Sequence, residues 1–98
     1  MRIPLDQYTN VTMDADGNIY VTRHCIFNSK VRTHKLATKE YDAIAVALWL
    51  KNRIERNPNP MVQVAFPNMN AEDREFLMTG ITPAEWNEMF PQAESEDE

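Results

Sequence analysis

His24, Cys25 and His34 are the residues of this chain best suited to chemistry. A thiolate and two imidazoles are zinc ligands, and a thiolate beside an imidazole is the pairing of a cysteine nucleophile. The spacing supports neither use. There is no Cys-x-x-Cys or His-x-x-x-His, and nothing marks a third orienting residue or an oxyanion hole. A buried thiol with two strand histidines is the plainer reading. Asp14-Ala15-Asp16-Gly17-Asn18 begins like a calcium loop. Its glycine stands fourth instead of sixth, and Cys25 holds the twelfth position, where a bidentate Glu belongs. It reads as a turn. The expectation is therefore no catalytic residue, no metal ligand and no cofactor.

The other chemistry on offer is recognition by charge. Glu72, Asp73, Glu75, Glu85 and Glu88 surround Trp86, Met89 and Phe90. An aromatic anchor inside a charged rim is a common way to build a binding hot spot. These residues are the expected partner-binding face, unless the aromatics turn inward and only hold the fold. Arg23, Lys30, Arg32 and Lys35 form the alternative, a basic patch suited to phosphate or to an acidic partner. Edge lysines on a solvated sheet give the same pattern.

Positioning these groups falls to one helix and a small sheet. Residues 38–56 hold the longest apolar run, 43–50. Tyr41, Ile44, Ala45 and Leu48 follow the i, i+3, i+4, i+7 spacing of a buried face. Ala47, Leu50 and Ile54 widen it, and Val46 and Trp49 fall outside it. Thr38 suits the N-cap, and Asn57-Pro58-Asn59-Pro60 stops the helix. Upstream, residues 11–13 and 19–22 are strand formers around an Asp-Gly turn. The second strand runs on to residue 27, and residues 31–36 return as a third. A three-residue loop would set Phe27 against Val31 and His24 against His34. A four-residue loop would set Cys25 against His34. Residues 1–8 form an irregular arm or a short edge strand, where Pro4 is tolerated. Residues 61–66, between Pro60 and Pro67, add a strand or lie as coil across the helix. Asn70 caps a helix over 71–78 that Gly80 closes, and Thr82-Pro83-Ala84-Glu85 is a capping box for another. The expected fold is α+β: a three-stranded antiparallel meander packed on one long helix, followed by two short C-terminal helices. Residues 1–90 make one domain, and residues 91–98 a disordered acidic tail.

A chain of 98 residues suits a single domain, and 43% apolar content suits a packed core. No apolar run reaches the roughly 18 residues of a membrane span. The N-terminal stretch lacks the apolar centre of a signal peptide. A lone cysteine excludes an internal disulfide, as in a reducing compartment. The expectation is a cytoplasmic protein without membrane contact. Residues 1–39 carry six Lys/Arg against three Asp/Glu, hence +3, and residues 40–98 carry four against twelve, hence −8. The acidic half argues against wrapping nucleic acid, and the basic half keeps that option alive.

The segment Ala65-Phe66-Pro67 and then Ala71 to Trp86, with Asp73-Arg74-Glu75-Phe76 and Thr79-Gly80-Ile81-Thr82-Pro83-Ala84-Glu85-Trp86, resembles a group of small bacteriophage proteins. Their pattern is a Cys-containing hairpin, a brief helix and an AFP…DREF…TG.TPEEW ending. Val21-Thr22-Arg23-His24-Cys25 is similar to their hairpin. The likeness covers residues 20–37 and 65–90. It departs at residues 41–54, where the helix is longer, and at the N-terminal hairpin, which is extra. The resemblance implies a phage origin and action in the cytoplasm of a bacterial host cell, and it carries no activity or catalytic residue across.

On these grounds the expected function is non-enzymatic. The chain is a phage accessory protein that binds and modulates, by inhibition, a bacterial host protein such as a defence or nucleic-acid-handling factor. A virion or assembly component is one alternative, and a small nucleic-acid-binding module using the basic hairpin is another.

Overall fold

Alternating strand formers around two Asp-led turns build the sheet. The computed structural model describes residues 1–26 and 30–89. Strands β1 (Arg2–Pro4), β2 (Asn10–Met13), β3 (Ile19–His24) and β4 (Val31–Lys35) form one antiparallel sheet in the order β1-β2-β3-β4. The expected three-stranded meander is thus corrected to four strands. The extra one comes from the N-terminal arm, because Asp6 makes a tight turn. Its Oδ1 accepts the N–H of Tyr8 at 2.9 Å and of Thr9 at 2.8 Å, folding residues 2–4 back on β2. Pro4 sits on this edge strand, where a missing N–H costs little. At the β2–β3 turn, Asp14 Oδ1 accepts from the N–H of Asp16 and Asn18, and Gly17 supplies φ +88°.

Four helices follow: α1 (Ala43–Ile54), α2 (Val62–Ala65), α3 (Ala71–Thr79) and α4 (Pro83–Met89). Residues 61–66 are therefore neither strand nor coil, since α2 takes most of them. Asp42, not Thr38, caps α1, with its carboxylate accepting the Ile44 N–H at 3.0 Å. Thr38 makes a local bond instead, its hydroxyl accepting the Glu40 N–H. The buried face of α1 is also not the expected one. Ala43, Val46, Ala47, Trp49 and Leu50 are buried, whereas Ile44 and Leu48 are 52% and 57% exposed. Ala43, Val46, Ala47 and Leu50 satisfy the same i, i+3, i+4, i+7 spacing. Their two alanines let the helix axis approach the sheet closely, so this stripe wins the core.

The core joins Val11, Ile19, Val21 and Leu36 of the sheet region to that face, and to Val62, Phe66, Met69, Phe76 and Leu77. Phe66 meets Tyr41 and Trp49 edge-on, at 5.0 and 6.4 Å between centroids. Trp49 also fixes the chain after α1: its Nε1–H donates to Pro60 O, and its own carbonyl accepts from Asn59 Nδ2. Phe27, Phe90 and the expected tail 91–98 lie outside the described residues.

Candidate interaction surface

The first turn of α3 is built by Asn70. Its Oδ1 accepts the Asp73 N–H at 2.8 Å, which aims the Asp73 carboxylate back across the sheet. There Oδ2 accepts the Ala37 N–H at 2.8 Å, and Oδ1 accepts His34 Nε2–H at 2.7 Å. A carboxylate only accepts, so the imidazole proton must sit on Nε2. The His34 ring stacks on Phe76, 5.1 Å between centroids. Asp73 is 1% exposed. It is a buried tie between β4 and α3, not part of an outward acidic rim.

Glu85 is similarly committed. Thr82 and Glu85 close the capping box, the Thr82 hydroxyl accepting the Glu85 N–H and Glu85 Oε1 accepting the Thr82 N–H, both at 3.2 Å. Glu85 Oε2 also receives Arg32 Nε and Nη2, both at 2.9 Å. Partial burial works to raise the Glu85 pKa. The Thr82 N–H and the charge of Arg32 outweigh it, and the net shift is downward. Glu75 takes a hydrogen bond from the Thr79 hydroxyl. Glu72 and Glu88 remain exposed. Trp86 is half-buried and borders a depression of about 240 Å³ with Glu72, Glu75, Ile81 and Pro83. The Met89 side chain and Phe90 lie outside the described residues. The expected face thus keeps Glu72, Glu75, Trp86 and Glu88 near its surface, while Asp73 and Glu85 hold the fold together.

The basic patch is divided by the strand register. Arg23 lies opposite Arg32, and His34 opposite Val21, on the sheet face that packs on the helices. Lys35 pairs with Tyr20 and Val31 with His24 on the other face. Neither register expected from sequence occurs: His24 lies opposite Val31, and the Cys25 N–H bonds to Lys30 O across the turn. His24 and His34 therefore point to opposite faces. Among the described residues no three His, Cys, Asp or Glu side chains converge as a metal site. Arg23 is 4% exposed and donates Nη1–H to Leu77 O at 2.8 Å and Nε–H to His24 O at 3.0 Å. Two arginines directly opposite would repel. Each turns away, one to the end of α3 and the other to Glu85. Lys30 and Lys35 are exposed.

Ile44 and Leu48, expected in the core, instead form part of an open apolar surface. Ile44 and Leu48 stand one helical turn apart on the outer side of α1. With Ile3 and Pro4 of β1, Met1 and Leu5 on either side of it, and Lys51, they border a groove of about 350 Å³. Met1 is 58% exposed. The second stripe on the helix, richer in alanine, was the signal that Ile44 and Leu48 could face outward.

No described helix is long and apolar enough to cross a membrane. Compared with family models, with curated proteins and with solved structures, the chain finds no match in any of the three.

Proposed function

We propose that this chain is a non-enzymatic bacteriophage accessory protein that binds a bacterial host protein and modulates it, with the groove between α1 and β1 as the docking surface. The observation that carries this reading is the exposure of Ile44 and Leu48 beside Met1. Contiguous apolar side chains left outside a packed core favour a partner, since covering them removes apolar area from water at about 25 cal/mol per Å². The net charge of −5, with Glu72 and Glu88 exposed, favours association with a basic partner through long-range steering. Phage origin and host cytoplasm rest on the resemblance of residues 65–90 and of the Cys25 hairpin. A basic hairpin serving nucleic acid is less favoured, because Arg23 is buried and bonded to the end of α3 and Arg32 is paired with Glu85. The test is capture of tagged protein from host cells, with sedimentation of the pure chain alongside. A host protein that co-purifies with the parent chain supports the reading only if a groove variant fails to capture it. Stable self-association through the same residues would make the chain an assembly component instead.

A further inference from the structure

Two depressions share a wall where α1 and α3 both end. The first, about 390 Å³, is lined by Arg23, His24, Ile26, Arg53, Arg56 and Met78 among others. The second, about 450 Å³, shares Arg53, Arg56 and Met78 and adds Trp49, Asn57, Asn59 and Gln63. No carboxylate among the described residues lines either one. Two guanidiniums, Arg53 and Arg56, stand on the shared wall and a third, Arg23, lines the first depression, in a chain whose net charge is −5.

Structural need accounts for part of this charge. Arg23 Nη1–H donates to Leu77 O, and Arg53 Nε–H donates to Met78 O at 2.9 Å, so both serve the last carbonyls of α3. Each helix C-terminus is equivalent to roughly half a negative charge. The ends of α1 and α3 therefore offset about one of the three positive charges around the two depressions. Asp6 draws on Arg23 from outside the wall. Glu55, next to Arg56 in sequence, takes a hydrogen bond from Asn57 Nδ2. Burial, and then repulsion by Arg53, push the Arg23 guanidinium below its usual value. Arg56 holds φ +62°, in the left-handed region that non-glycine residues rarely adopt.

We propose that this shared wall is a receptor for a small phosphomonoester, with the phosphate held by Arg53 and Arg56 and the organic part lying on the Trp49 side. Planar guanidiniums match phosphate oxygens with paired hydrogen bonds. The amides of Asn57, Asn59 and Gln63 line the neighbouring space with donors and acceptors suited to a polar ring or sugar. Both volumes fall in the range of small-molecule sites. This inference does not depend on the docking groove, which lies on other residues.

The experiment is calorimetric titration of the full chain with uridine monophosphate, inorganic phosphate and uridine in separate arms. Arg53 Cζ lies 5.9 Å from the Trp49 ring centroid, so tryptophan fluorescence provides a second readout. Saturable binding is expected for the monophosphate, weaker binding for phosphate, and none for the nucleoside. Arg56→Asn preserves the left-handed backbone, which Asn tolerates, and should weaken binding about tenfold with an unchanged melt. Absence of saturation by either anion up to about 10 mM would overturn the site. So would an Arg56→Asn chain that binds like the parent. Equal affinity for phosphate and the monophosphate would overturn the assignment of the Trp49 side.

Discussion

His34 and Asp73 are separated by 39 positions in the chain and meet at 2.7 Å, joining the edge strand β4 to the first turn of α3. The same carboxylate accepts the Ala37 N–H, so one buried side chain fixes the strand, the segment after it and the helix. Asp73→Ala leaves the Ala37 N–H and the imidazole without their acceptor. The expected loss is roughly 2–4 kcal/mol, on the scale of a buried polar group deprived of its partner. His34→Ala should also destabilise, and the double variant should lose less than the two single losses added together. Urea denaturation of the three variants checks this. Additive losses would mean that the two groups act independently.

Gly80 makes a second close approach. Its φ is +80°, and a Cβ there would collide with His24 O and press on Cys25 Cα. The backbone of β3 therefore passes directly against the end of α3, where Ile26 N–H bonds to Thr79 O. Gly17 has a similar φ of +88°, but a Cβ would meet only Lys39 Cδ, at 3.9 Å. Gly80→Ala should cost several kcal/mol, and Gly17→Ala about 1 kcal/mol. Comparable melting temperatures for the two variants would contradict this packing.

Local signals carried most of what could be read in advance. Asn70 and Gly80 bound α3, Thr82 and Glu85 cap α4, and Asp14 and Gly17 turn the hairpin, because each acts within a few residues of itself. Choices settled by distant partners were not legible. Either stripe of α1 fits a helical period, and only closeness to the sheet selects Ala43 and Ala47 over Ile44 and Leu48. Asp73 reads as one acid among several, although Asn70 three residues earlier marked it as a first-turn residue. Its burial depends on His34 and Ala37. The split of Arg23 and Arg32 from Lys35 follows from the register, which the Cys25–Lys30 bond sets. The fourth strand was hinted at by Pro4 and required the Asp6 turn.

Acid should weaken the β2–β3 hairpin through Asp14. Side-chain and backbone hydrogen bonds from Asn18, with further bonds from Tyr20 and Asp16, lower its pKa from 3.8 to about 2. A depressed folded-state value means that the contribution is fully present above 3.8 and is lost as pH falls toward 2. Asp14→Asn should therefore show a shallower fall in stability between about pH 4 and pH 2 than the parent. Glu85 and Asp6, also lowered, keep some slope in both proteins. Identical slopes would remove Asp14 from the acid response. Tyr20 is raised, first by its hydrogen bond to the same carboxylate. The Asn variant should bring its titration back toward 10.0.

The docking groove is tested most directly by placing charge on the exposed stripe of α1 and comparing it with the buried one. Ala47→Asp, 3% exposed, sets an unpaired carboxylate against the sheet and should prevent folding. The Ile44→Asp, Leu48→Asp double variant replaces side chains that already face water. It should keep a cooperative melt within about 1 kcal/mol of the parent. The decisive measurement is binding of that double variant to the host protein captured by the parent chain, with circular dichroism on the same sample. A folded variant with at least a tenfold loss of affinity, about 1.4 kcal/mol, is the expected result. A folded variant that binds the host protein as tightly as the parent would contradict the groove as the docking surface.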